Sequence, residues 1–268
     1  MHKVKKLVTL GCSHTVGSYL DKPGDSWEEL ARCHDRSWSR KLAKLLDAEQ
    51  ECNLAINGGS NPRSIRVLME WINETYNDKF EDSDLLIIFS ITEPMRFEVP
   101  VNASLTPGII PNSLSLGNDK INNEWSMHRA GPWEINTNRH ANYSEYIRNR
   151  YGLFSNDDHE YKKLSYDLVM LHYFLKLHNI KHYFFHGIDV PDFYKPFMPA
   201  FVKLPIIKFT TKDNIYFETN AFGPGGFLTS HGFKRGLDIK PLSGCAHFDH
   251  DANQFLAEHI YDKIKEEL

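Results

Sequence analysis

The chain has 268 residues, 41% hydrophobic and 25% charged, with a formal net charge of −4. This is the composition of a soluble globular protein with a sizeable core. The balance of charge provides no overall pull toward nucleic acid or an anionic membrane, and the apolar runs are too short to span a bilayer.

The N-terminus, "MHKVKKLVTLGCS", joins a basic start to a short apolar stretch. It lacks a full hydrophobic region and a small-residue cleavage site, so it reads as a first strand and not a signal peptide. Four cysteines (Cys12, Cys33, Cys52, Cys245) form no CxxC pair. That spacing suits a reducing compartment better than a disulfide framework or a zinc site, and a cytoplasmic protein is expected.

Residues 5–10, "KKLVTL", are short, apolar and closed by Gly11, which predicts a buried strand. Over 37–48, Trp38, Leu42, Leu45 and Leu46 share one helical face behind Ser37 as N-cap. "ECNLAI" (51–56) predicts a second strand, ended by Gly58 and Gly59. The stretch 61–78 opens with Asn61 as cap and Pro62 in the first turn, then shows helical periodicity through Ile65, Leu68, Met69 and Ile72. "DLLIIFSI" (84–91) is the strongest strand in the chain. The first ninety residues therefore alternate β-α-β-α-β, the signature of a parallel sheet with helices on both faces.

Residues 93–156 break that rhythm with many Asn, Pro and Gly residues and no strong periodicity. They read as an insertion, or lid, over one end of the sheet. A long helix follows at 157–179, striped by Leu164, Leu168, Leu171 and Leu175, and then a strand at 180–188. Residues 189–235 read as loop-rich, "FGPGGF" (222–227) included. The chain ends in a helix, 251–268, with Phe255, Leu256, Ile260 and Ile264 inward. The expectation is one domain, 1–268, with a three-layer α/β/α, flavodoxin-like, mainly parallel sheet.

Four stretches fall at strand ends or before the last helix: "GCSHT" after the first strand, "NLAINGGSN" (53–61) after the second, "FSITEPMR" (89–96) after the third, and "GCAHFDHDANQFLAEHI" (244–260) into the final helix. Open α/β sheets carry their chemistry at the carboxyl ends of strands. A serine there becomes a nucleophile once a base takes its proton, and histidine suits that task near neutral pH. The attack creates an oxyanion that preorganised N–H donors stabilise. A glycine beside it lets substrate approach a bare backbone.

The four blocks, in this order, resemble the SGNH (GDSL-type) hydrolase superfamily. The first block is closest to a branch common in bacteriophage genomes, with GCSxT in place of GDSxT. The resemblance implies Ser13 as nucleophile and oxyanion donor, Gly58 (or the shifted Gly59) as a second donor, and His247 as general base. Two positions depart from the family pattern. Thr92 stands where an asparagine completes the oxyanion hole. Gly244 stands where an aspartate orients the histidine, which leaves a backbone carbonyl, Asp238 or Asp249 for that task. His14, Asn61, Glu93 and Arg96 are the candidate substrate-binding residues. Glu93 and Arg96 either hold a substrate carboxylate or phosphate or pair with each other. Cys12 reads as a small buried residue behind the nucleophile.

The activity implied is a serine esterase, acyl hydrolase or acyltransferase acting on a small ester, such as an O-acetyl group on a carbohydrate or modified nucleotide. It needs no cofactor and no metal. Two other readings stay open. One is a protein that keeps the fold but binds a ligand or partner through the insertion, anchored by Trp125, Arg129, Trp133 and Arg139. The other is a metal-dependent hydrolase using His14, His247, Asp249 and His250.

Overall fold

The computed structural model describes residues 4–17, 35–56, 58–76, 84–102, 119–120, 125–130, 145, 149–150, 157–187, 203–209, 224–233 and 248–268. Strand β1 (Lys6–Leu10) leads into a single helical turn, α1 (Ser13–Val16). Helix α2 (Trp38–Leu45), strand β2 (Gln50–Asn53), helix α3 (Asn61–Tyr76) and strand β3 (Leu85–Ile91) follow. Next come β4 (Phe97–Asn102), β5 (Asp119–Lys120) and β6 (Trp125–Ala130). The chain closes with α4 (Asp157–Leu177), β7 (Lys181–His186), α5 (Pro224–Ser230) and α6 (His250–Ile264).

The main sheet has the order β2-β1-β3-β7. All three pairings are parallel, with Val8 opposite Cys52 on one side and Ile87 on the other. A bridge from Phe184 to Ile206 adds a further parallel neighbour beyond β7. This is the flavodoxin-like order, and its switch point lies between β1 and β3. All seven residues of β3 are buried, which explains its unbroken apolar run: a central parallel strand has no wet face.

Two cores flank the sheet. On one face α3 and α4 pack Leu68, Ile72, Leu164, Leu168, Leu171 and Leu175 against Val8, Ile87, Phe89 and Phe184. On the other, α2, α5 and α6 pack Trp38, Leu42, Phe227, Leu256 and Ile260 against Leu7, Ile88 and Phe185. The architecture is three-layer α/β/α. Ser37 caps α2 as expected, accepting from the Arg40 amide.

Four expectations need correction. First, the second strand stops at Asn53, short of Ile56. Secondly, Ser60, not Asn61, caps α3, accepting from the Arg63 amide at 3.2 Å. Thirdly, residues 97–130 hold an antiparallel sheet of order β4-β6-β5, where no regular element was expected. Pro100 masks the alternation of Phe97, Val99 and Val101, but β4 lies at the sheet's edge, where proline is tolerated. Finally, "PGGF" opens a helix, α5, and not a loop. Pro224 occupies its first position, which has no use for an N–H, and Phe227 and Leu228 are buried in the core.

No helix among the described residues is long and apolar enough to cross a membrane.

Candidate active site at the carboxyl edge of the sheet

The chain leaves β1 through Gly11, whose φ is +149°. A Cβ there would lie 2.5 Å from Thr15 Oγ1 and 2.9 Å from Ser90 Cβ. Glycine alone lets β1 end this tightly between α1 and β3. Cys12 is fully buried, and its backbone oxygen accepts from the Thr15 and Val16 amides. Ser13 follows as the first residue of α1, half-buried, beside the switch point between β1 and β3. His14, also half-buried, is the next residue of the same turn.

The second block folds back onto the first. A Cβ on Gly59 would lie 2.4 Å from the Gly11 carbonyl oxygen, so these two turns meet backbone to backbone. Gly59 donates its N–H to Ile56 O at 2.9 Å, which uses up that donor. Gly58 has a left-handed φ of +67°, a conformation suited to glycine. Of the two glycines, Gly58 is therefore the one suited to offering an N–H to a substrate oxygen.

Asn61 ties the second block to the third. Its side-chain Nδ2 donates to Thr92 O at 2.9 Å, and its Oδ1 accepts from Thr92 N at 2.8 Å. Asn61 is 1% exposed. Asn61, expected to bind substrate, has both ends of its side-chain amide engaged with the Thr92 backbone, and it fixes Thr92. The Thr92 hydroxyl is buried without a hydrogen-bond partner. Among the described residues the same holds for the hydroxyls of Thr9, Thr15 and Ser90, near the ends of β1 and β3, and for Ser64 on α3.

Glu93 and Arg96 pair with each other, Nε to Oε2 at 3.4 Å. Arg96 also reaches Gly59 O at 3.5 Å, a second tie between blocks two and three.

The fourth block is described from Phe248 onward. His247 lies outside the described residues, as do Asp238 and Gly244. Asp249 is the N-cap of α6, its carboxylate accepting from the Ala252 amide at 3.0 Å. His250 is the first residue of α6, and its ring lies against the Lys41 ammonium, 3.1 Å from Nε2. Lys41 is buried, and desolvation is the main cause that lowers its pKa. A cation held there opposes a second positive charge, so His250 is poorly placed to ligate a metal. Among the described residues, no three His, Cys, Asp or Glu side chains gather where a metal could be held. Of the aromatic and arginine anchors expected in the insertion, Trp125 and Arg129 fall in β6, while Trp133 and Arg139 lie outside the described residues.

Several positioning residues escaped the sequence reading. Asn53 Nδ2 donates to both Thr15 O and Ser39 Oγ, each at 2.9 Å. Asn253, 7% exposed, donates to Asp249 O at 2.9 Å and accepts from the Trp38 amide at 3.1 Å. The available signal was position: Asn253 heads the inward stripe of Leu256, Ala257, Ile260 and Ile264, where an apolar residue is the rule.

The chain is similar in shape to two solved structures. "Crystal Structure of TesA" aligns at 12% identity and a TM-score of 0.44, over 98% of this chain and 99% of the other. The psychrotrophic esterase EstA from Pseudoalteromonas sp., inhibited by monoethylphosphonate, aligns at 11% identity and a TM-score of 0.41, over 98% and 97%. At such scores neither likeness carries the fold, which rests on the strand order above. No curated protein matches the sequence. Residues 21–198 match the model of a family of unknown function, DUF6071. That span includes blocks two and three and excludes Ser13 and His247.

Proposed function

The chain belongs to this family of unknown function, DUF6071, so its chemistry must be read from its own edge of the sheet; we propose that it is a serine esterase or acyltransferase of SGNH type. The observation that carries this reading is the backbone contact between Gly11 and Gly59, which seats the Ser13 turn against the Gly58 turn. A nucleophile and an oxyanion donor must be neighbours of this kind.

In the proposed reaction Ser13 Oγ attacks the acyl carbon of a small ester. His247 takes the serine proton as the C–O bond forms. The Ser13 and Gly58 N–H groups and the Thr92 hydroxyl face the oxyanion. Collapse breaks the bond to the alcohol, which leaves with the proton from His247. Water or a second alcohol then releases the acyl group by the same steps. With Gly244 in place of an aspartate, the orienting group for His247 is a backbone carbonyl, Asp238 or Asp249. An O-acetyl group on a carbohydrate or modified nucleotide is the substrate class of this proposal.

Fluorophosphonate labelling tests the reading. Wild type is expected to label, Ser13→Ala to lose the label completely, and His247→Ala to label at least a hundredfold more slowly, roughly the contribution of a general base. Labelling that survives Ser13→Ala would overturn the assignment. A folded wild type that never labels would favour a ligand-binding protein with the same fold.

A further inference from the structure

We propose that a buried hydrogen-bonded chain through the first turn of α2 sets the distance between the Ser13 turn and Phe248–Asp249, the residues that follow His247 in the sequence, with Ser39 and Asn253 as positioning residues. The inference rests on the serine-hydrolase reading for its purpose, but not for its geometry.

The chain starts at α1. Thr15 O accepts from Asn53 Nδ2 at 2.9 Å. The same amide nitrogen donates to Ser39 Oγ at 2.9 Å. Ser39 has one proton, and it is given to Glu51 Oε1 at 3.0 Å. Ser37 Oγ lies 2.9 Å from Ser39 Oγ, so Ser37 must be the donor of that pair. Ser37 in turn accepts from the Arg40 amide at 3.3 Å, which holds the helix start in place. Between the two serines, the Trp38 amide donates to Asn253 Oδ1 at 3.1 Å. Asn253 Nδ2 closes the chain by donating to Asp249 O at 2.9 Å and Phe248 O at 3.4 Å. Those carbonyls follow His247 directly in the chain.

Each proton in this series has one assignment, and both serines are fully buried. A hydrogen-bonded network fixes the direction as well as the distance of its members, which an apolar contact does not. Adhesion between α2 and α6 does not need it, because Trp38, Leu42, Leu256 and Ile260 already supply an apolar contact. What the network adds is a fixed span from block one to block four. A nucleophile and base about 1 Å out of register lose roughly a hundredfold in rate.

The test compares Ser39→Ala, Asn253→Ala and Leu256→Ala. Leu256 lies on the same helix and packs in the core, and its apolar side chain takes part in none of these hydrogen bonds. The readouts are the second-order rate of fluorophosphonate labelling per folded molecule, its pH profile, and amide hydrogen exchange at residues 13–17 and 248–253. Asn253→Ala is expected to slow labelling about ten- to a hundredfold and to shift the pH limb of the base. Ser39→Ala should act in the same direction, the double variant should lose less than the product of the two, and Leu256→Ala should stay within about twofold of wild type. Exchange should rise at both segments in Asn253→Ala. Slowing that merely tracks lost stability in all three variants would overturn the proposal. If wild type does not label, the serine reading fails by itself. The chain is then judged on exchange: loosening at 13–17 caused by Asn253→Ala upholds the tie, and no change there removes it.

Discussion

On one face of the sheet, α3 and α4 make contact through Leu68, Ile72, Leu164, Leu168, Leu171 and Leu175. On the other, the apolar stripe of α2 and α6 meets, at its start, Ser37, Ser39 and Asn253, all buried and all hydrogen-bonded. The first face is suited to adhesion, since leucines against a sheet stabilise by the area removed from water and have little preferred register. The second adheres as well, but its polar head meets both the segment after Ser13 and the segment after His247. The contrast separates two jobs that packing density alone would merge. Losing material from the α3/α4 face should cost stability only, while losing it from the polar head of α2/α6 should cost rate beyond stability.

The most severe way to probe this contrast is to disturb the edge where both faces meet. Gly11→Ala forces a Cβ to within 2.5 Å of Thr15 Oγ1 at a φ of +149°. The expected loss is more than about 3 kcal/mol, or no folded protein, measured by urea unfolding. A stable Gly11→Ala variant would mean that the β1 turn is not built as described. Next in size are Leu168→Ala on one face and Leu256→Ala on the other, each expected to cost about 2–5 kcal/mol. Equal losses of stability with unchanged labelling rates per folded molecule would sharpen the contrast. A labelling defect in Leu168→Ala would break it.

A smaller effect tests the antiparallel sheet. Arg66 on α3 grips Glu98 on β4 with Nε to Oε2 at 3.1 Å and Nη2 to Oε1 at 2.8 Å, and the Glu98 side chain is 5% exposed. Arg66→Ala leaves that carboxylate buried and unpaired, at about 2 kcal/mol, less than for a fully buried pair because Arg66 itself is partly open to water. Limited proteolysis should then cut first within 97–130. Unchanged resistance would mean that β4 is held to α3 by something else.

The central strands and long helices were legible because their signals are local. The run Leu85–Ile91 is apolar throughout, and Leu164, Leu168, Leu171 and Leu175 repeat at helical spacing. Ser13 at a strand end was legible for the same reason. Local signals misled where tertiary contact decided the outcome. Two glycines argue against a helix at 224–230, but burial of Phe227 and Leu228 outweighs them. Ser60 and Asn61 are both good caps, and Asn61 yields the position because Thr92 takes its amide. The bond from Trp38 to Asn253 spans 215 positions and leaves no trace in either neighbourhood.

The last contrast concerns acid. Burial holds His186 down at about 4, so in the folded protein its ring is neutral near pH 6. Strand alternation puts it on the α3/α4 face, with His182 and Phe184. His182, whose pKa is also lowered, chiefly by burial, lies 2.8 Å from His172 and 2.8 Å from Ile180 O. The unfolded chain takes up these protons first, near pH 6.5, so stability is full above that pH and falls as pH drops toward 4. For His186 alone, the loss between pH 7.5 and 5.5 is about 1 kcal/mol. Urea midpoints at the two pH values should therefore differ in wild type and differ less in His186→Gln, whatever that substitution costs at neutral pH. An equal pH dependence in both proteins would show that the imidazole at 186 takes up its proton as readily in the fold as outside it, and the adhesive face would then carry no acid-sensitive group at that position.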